Sequence, residues 1–281
     1  MLLRLSSDFR RAMDLSLVLD QEGIAHDLRS VGEEQWALLV DDVDGERAAV
    51  ALAAFELENA PRPPVPEPVP VSDGVVAAAL FALPIVVFHL WTGPESANTW
   101  FTGGDADAAA IVHGEWFRAL TALTLHADAG HAAGNAVLGA IFVGLLARRL
   151  GTGIALLLTV CAGAFGTLAT AFLVQRDFAS VGASTAVFAA LGALAVLPER
   201  RGRKLAAAVA LLGFLGTGKR ADLCGHLCGF LFGLVLGWLA GAAADWISAD
   251  AKGAVRRAAL QAACCMAALA LPVLAWVRAL R

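Results

Sequence analysis

Two patterns of hydrophobic and polar positions divide the chain. Over residues 1–60 the apolar positions come in short groups. Leu2 to Leu5 predicts a strand. Ser7-Asp8 would cap a helix that turns Ala12, Leu15, Val18 and Leu19 inward and stops at Gly23. Ile24 to Leu28 and Trp36 to Val40 predict two more strands, and Asp44-Gly45-Glu46 opens a second helix that reaches about Glu58. The order β-α-β-β-α describes a small soluble α/β domain. Residues 61–74 begin Pro-Arg-Pro-Pro-Val-Pro and predict an extended, stiff linker. Beyond the linker polar positions become rare. Apolar segments run over 75–91, 131–148, 151–174, 183–197, 204–217, 222–241 and 259–277. A spanning helix takes about 20 residues. Five of these segments approach or exceed that length, and the segments at 183–197 and 204–217 fall short of it. The pattern predicts an all-α polytopic membrane protein with seven spans.

The polar residues left inside these runs carry the chemistry. Ser184 opens the fourth segment, within Gly182-Ala183-Ser184-Thr185-Ala186-Val187-Phe188. His226 opens the sixth, within Gly225-His226-Leu227-Cys228-Gly229. His126, His131 and Asn135 cluster at the mouth of the second. Hydroxyl, imidazole and amide groups at membrane depth need partners and mark functional sites. Counting back from Pro198 at about 1.5 Å per residue places Ser184 roughly 21 Å above the inner face of a core about 30 Å thick. His226, counted from Ala240, comes to the same height. Gly229 and Gly233 would let the two helices approach closely. The backbone before Ser184 must then be irregular within the membrane, which is tolerated only beside protein or a water-filled cavity.

Composition agrees with this picture. Of the residues 58% are hydrophobic and 16% charged, against about 25% charged in a soluble domain. Residues 1–60 hold 5 Lys or Arg against 13 Asp or Glu, and the remainder holds 16 against 12. An acidic domain before a weakly basic membrane body offers no nucleic-acid surface. Nine basic residues, Arg148 and Arg257 among them, fall on the side of the N-terminus, and six, Arg118 and Arg278 among them, on the other. The positive-inside rule then sets the N-terminus in the cytoplasm and, with seven spans, the C-terminus outside. The first 20 residues include Arg4, Asp8, Arg10, Arg11 and Asp14, so no signal peptide is predicted. The five cysteines sit in apolar runs and are expected as small core residues.

A serine beside an imidazole is an activated nucleophile, and acyl transfer needs donors for the developing oxyanion. His131 and Asn135, one helical turn apart, could supply those donors together with the Ser184 N–H. Other chemistries fit less well. On a helix Cys224 and Cys228 share a face that His226 does not, so no metal could take all three. Gly213 to Lys219 lacks the hydroxyl residue and the preceding strand of a phosphate loop. Gly103-Gly104-Asp105 lies in a polar loop and not in a span, against an aspartyl protease. Asp128 is expected as an exposed loop residue. No inverted repeat suggests a transporter.

Residues 75–241 resemble the rhomboid family of intramembrane serine proteases. Gly182-Ala183-Ser184 resembles that family's nucleophile turn, and Gly225-His226-Leu227-Cys228-Gly229 its base-bearing helix. His126, His131 and Asn135 match its spacing at the start of the second helix, and Trp116-Phe117-Arg118 lies where it has a tryptophan–arginine motif. The resemblance implies a six-helix bundle, with the seventh segment as the extra C-terminal helix of one variant and residues 1–60 as a cytosolic domain found on some bacterial members. It implies Ser184 as nucleophile, His226 as general base, and His131 and Asn135 at the oxyanion. Arg118, His126, Gly182, Phe188 and Gly229 would be supports. Thr185 and Gly225 depart from the family, which often has glycine and alanine there. The implied domains are 1–60, the linker 61–74, the bundle 75–241, and 242–281 with the last helix. The implied partners are the lipid bilayer and transmembrane protein substrates in a bacterial inner membrane; no cofactor is implied, and the oligomeric state is left open. The alternative is a catalytically silent protein of the same fold that binds transmembrane helices.

Overall fold

The computed structural model describes residues 1–32, 35–59, 72–94, 98–174, 178–197, 207–211, 213, 222–244 and 251–281. Most of the linker expected over 61–74, most of the segment expected over 204–217, and Pro198 lie outside the described residues. The chain forms two compact units, Met1–Pro68 and Val69–Arg281.

The first unit has the order expected for a small α/β domain. Strands β1 (Leu2–Ser6), β2 (His26–Gly32) and β3 (Gln35–Val40) form an antiparallel sheet in the order β1-β3-β2. Asp8 caps α1 (Phe9–Gln21) by accepting the Arg10 N–H, a contact that satisfies one of the free donors at a helix start. Helix α2 covers Gly45–Glu58. Leu15 and Leu19 of α1, Leu38 and Val40 of β3, and Ala48 and Leu52 of α2 close the core. His26 bonds through Nε2 to Ser16 Oγ at 2.6 Å and serves packing within the sheet unit.

The second unit is helical. Among the described residues, five helices are long and apolar enough to cross a membrane. They are α3 (Val75–Thr92), α7 (Ala129–Leu150), α8 (Thr152–Val174), α10 (Leu223–Ala244) and α11 (Ala251–Ala279). Short helices α4 (Thr99–Gly104), α5 (Ala108–Val112) and α6 (Arg118–Thr121) build the connection from α3 to α7. Helix α9, Ser184–Val196, has only 13 residues. At 1.5 Å per residue it spans about 20 Å, some 10 Å less than the hydrocarbon core. It is also the most enclosed element: every residue from Thr185 to Ala193 is buried, and α7, α8 and α10 pack around it.

Small residues bring α9 and α10 together. A Cβ at Gly229 would overlap the Thr185 carbonyl oxygen, one at Gly233 that of Ala189, and one at Gly237 would meet Ala193 Cα at 2.5 Å. Gly192 of α9 faces the Phe230 carbonyl in return. Lipid chains are as apolar as leucine, so such helices associate through close van der Waals contact and not through exclusion of water. This stripe fixes the register of α10 on α9, and with it the relative height of His226 and Ser184.

Candidate active site

Ser184 is the first residue of α9, directly after a turn that only glycine fits. Gly182 has φ +125°, a region that side chains rarely adopt. A Cβ there would also stand 2.5 Å from His131 Cε1 and 3.4 Å from Asn135 Nδ2. The turn therefore lies flat against the two residues expected at the oxyanion. Its backbone is held on three sides. The Gly182 N–H donates to the Ala122 carbonyl at 2.9 Å. The Ala183 N–H donates to His126 Nε2 at 3.2 Å. Just upstream, the carbonyls of Phe178 and Ser180 accept the N–H groups of Ala108 and Ala106, each at 2.9 Å.

His226 is buried on the first turn of α10. Its Nε2 lies 2.9 Å from Ser184 Oγ, and the Phe188 ring stacks on its imidazole with centroids 4.5 Å apart. With Nε2 set to accept the serine hydroxyl, the ring proton belongs on Nδ1, an assignment made from the hydrogen-bond geometry. The start of α10 is capped by a residue that sequence reasoning passed over. Asp222 Oδ1 accepts the Gly225 N–H at 2.8 Å, and its carbonyl accepts the His226 N–H at 2.9 Å. A Cβ at residue 225 would collide with the Asp222 carboxylate. That gives the departure at Gly225 a physical reason. The other departure is also accommodated: the Thr185 methyl occupies the space that the missing side chains of Gly166 and Gly229 leave open.

Asn135 is buried in the second turn of α7, and its Nδ2 has no hydrogen-bond partner among the described residues. A buried donor left unpaired costs about 1–3 kcal/mol, so such a group marks a site where a partner arrives later. Asp128, expected as an exposed loop residue, is exposed and also caps α7 by accepting the His131 N–H at 2.8 Å. Residue 128 stands three positions before His131, the offset at which an N-cap acts, so the sequence did carry that signal. Arg118 is largely buried and ties the outer connection together. It donates to Asp105 Oδ1 at 2.7 Å, to Glu115 Oε2 at 2.6 Å and to the Thr102 carbonyl at 3.1 Å.

His126 lies in the segment before α7, outside the spanning helices, and is fully buried. Burial, with the nearby His131 as a smaller cause, pulls its pKa down from 6.5 to about 3. It is a neutral ring, as its acceptor role toward Ala183 requires.

Ser184, His226, His131, Asn135 and Phe188 all line one cavity of about 640 Å³, together with Asp128, Ser180 and Asp222. The structure thus brings together a hydroxyl, an imidazole and an unpaired amide donor around a space that a peptide segment and water could enter. Arg118, His126 and Gly229 stand behind this group and do not line it.

Fold and site together define a polytopic helical membrane protein with a serine–histidine pair set at the wall of a cavity. Residues 113–243 match the Rhomboid domain family model. It is 37% identical over 117 residues to rhomboid protease GluP of Bacillus subtilis (strain 168), a match covering 40% of this chain and 22% of that protein. It is 30% identical over 118 residues to YdcA of the same organism, covering 42% and 59%. The chain thus spans less than two thirds of either relative.

Proposed function

We propose that this chain is an intramembrane serine endopeptidase that hydrolyses peptide bonds in or near the transmembrane helices of other membrane proteins. The observation that carries this reading is the 2.9 Å approach of Ser184 Oγ to His226 Nε2 at the wall of the cavity. Ser184 Oγ attacks the scissile carbonyl carbon as its proton passes to His226 Nε2. The carbonyl oxygen becomes an oxyanion, held by Asn135 Nδ2, His131 and the Ser184 N–H. The intermediate collapses, the C–N bond breaks, and the imidazolium returns the proton to the leaving amine. Water then repeats the sequence on the acyl-serine, with His226 again as base. Phe188 keeps the imidazole in plane for both steps. The spanning helices and the sequence likeness make the bilayer the working environment, and the basic residues favour an N-terminus in the cytoplasm of a bacterial cell. Residues 1–60 act as a separate soluble domain on that side.

Reaction with a fluorophosphonate tests the nucleophile directly. Mass spectrometry of labelled protein should find the adduct on Ser184 alone, and His226→Ala should slow labelling by on the order of 10²–10⁴-fold, the usual worth of a general base. An unlabelled Ser184 in folded protein would favour the alternative, a protein of the same fold that captures transmembrane helices without cutting them.

A further inference from the structure

Helix α11 lies outside the residues that match the family, yet one of its side chains reaches the support of the catalytic turn. The indole Nε1–H of Trp276 donates to Thr124 Oγ1 at 2.9 Å. The Thr124 hydroxyl donates onward to the Thr121 carbonyl at 2.7 Å, so both its donor and an acceptor site are used. The Thr124 carbonyl stands 3.3 Å from His126 Nδ1. This contact selects the tautomer with its proton on Nδ1 and leaves Nε2 as the acceptor for Ala183. Ala183 immediately precedes Ser184.

The indole is built into place. Trp276 is 8% exposed and lies between Phe88 and Trp100, with centroids 5.5 and 5.1 Å away. Gly104 makes room for it, since a Cβ there would overlap the indole ring. Arg278, one half-turn on, sits 5.7 Å from the Phe117 ring. The other end of α11 is stapled as well. Gln261 Oε1 accepts the Gly153 and Ile154 N–H groups at 2.7 and 3.1 Å, and its Nε2 donates to the Leu150 carbonyl at 2.7 Å. Fifteen residues separate Gln261 from Trp276, about 22 Å of helix. Anchored at that distance, α11 presents the indole at a fixed height.

We propose that Trp276 is a positioning residue for the active site: through Thr124 it orients His126, which holds the Gly182-Ala183-Ser184 turn. The seventh helix is then part of the catalytic unit. This rests on the protease reading above.

The test compares wild type with Trp276→Phe, which keeps a ring and removes the N–H, with Thr124→Val, which keeps the shape and removes the hydroxyl, and with the double variant. Steady-state cleavage of a single-span substrate in detergent gives kcat and KM. Each single variant should lose about fivefold in kcat, equivalent to about 1 kcal/mol at 1.36 kcal/mol per tenfold, with KM held. The double variant should be no slower than Thr124→Val alone, because that change already removes the acceptor of the indole N–H. Wild-type kcat in Trp276→Phe, or losses that multiply in the double variant, would overturn the proposal. A second readout does not need activity. In ¹⁵N-histidine NMR spectra, His126 should hold its proton on Nδ1 in the wild type and shift toward a tautomer mixture in Trp276→Phe. If no variant including wild type cleaves, the protease reading fails by itself, and the spectrum still decides this one: an unmoved His126 resonance overturns the relay.

Discussion

Asn135 and His126 have opposite standing among the buried polar side chains. His126 is satisfied at both ring nitrogens and held neutral, whereas Asn135 keeps an unpaired donor beside Ser184. A satisfied group supports structure and an unsatisfied one awaits a ligand. The depressed pKa of His126 has a consequence for stability. Between about pH 6.5 and pH 3 the unfolded chain protonates this residue and the folded chain does not. The unfolded state then binds more protons, so stability falls as pH drops below about 6.5. His131 and His89 face the same ring and oppose a charge on it. At 1.36 kcal/mol per pH unit, His126 alone removes roughly 2 kcal/mol between pH 6.5 and pH 5. Thermal melts in detergent at pH 7.5 and pH 5 should show this loss in wild type, and His126→Gln should show a smaller one. An unchanged slope in the variant would contradict the assignment.

Gly225 belongs to the same scale. Replacing it with alanine pushes the Asp222 carboxylate off its cap. A lost N-cap costs about 1 kcal/mol, so Gly225→Ala should lower the melting temperature by a few degrees and reduce cleavage, because His226 sits on the turn so loosened. Asp222→Asn, which can still accept from the Gly225 N–H, should melt within a degree of wild type. The residues that meet here, Ser184 with His226 and Gly182 with His131 and Asn135, were legible from the chain because polar groups in apolar runs stand out. Asp222 was not, although an Asp three residues before Gly225 has the spacing of a helix cap. It was lost in a polar connection where any acidic residue looks ordinary.

At the scale of elements the central relation is α9 against α10. Gly229 and Gly233 were readable as a close-packing pair. Their partners, the Thr185 and Ala189 carbonyls, were not, and neither was the reciprocal Gly192. Periodicity shows which side of a helix is small but not which backbone it meets. A large side chain at residue 233 must lift α10 away from α9. Overpacking of this kind costs about 1–3 kcal/mol. Gly233→Leu should melt lower and lose most of its cleavage activity, while Leu227→Ala, at an outward-facing position of the same helix, should retain both. Equal activity in the two variants would show that the helix contact does not set the catalytic geometry. The shortness of α9 was legible too. An apolar run of 13 residues is about 20 Å long, too short to cross a hydrocarbon core of about 30 Å.

For the whole molecule, the chain forms a small α/β unit followed by a helical unit with membrane-length helices, and the hydropathy pattern separates the two. The order β-α-β-β-α and five of the expected spans correspond to elements of the structure; the expected fourth is the short helix α9, and most of the expected fifth lies outside the described residues. Least visible beforehand was the part that α11 plays. A tryptophan near the end of an apolar helix has the look of an interfacial anchor. Its bond to Thr124 joins residues 152 positions apart, and no local pattern announces such a pair. The central claim is that Ser184 and His226 form a proteolytic pair within the membrane unit. The most direct measurement is cleavage of a single-span model substrate by the purified full chain, beside Ser184→Ala and His226→Ala. The account predicts cutting by wild type and none detectable by either variant, with all three equally folded. Cutting that survives in Ser184→Ala, or its absence from folded wild type, would contradict it.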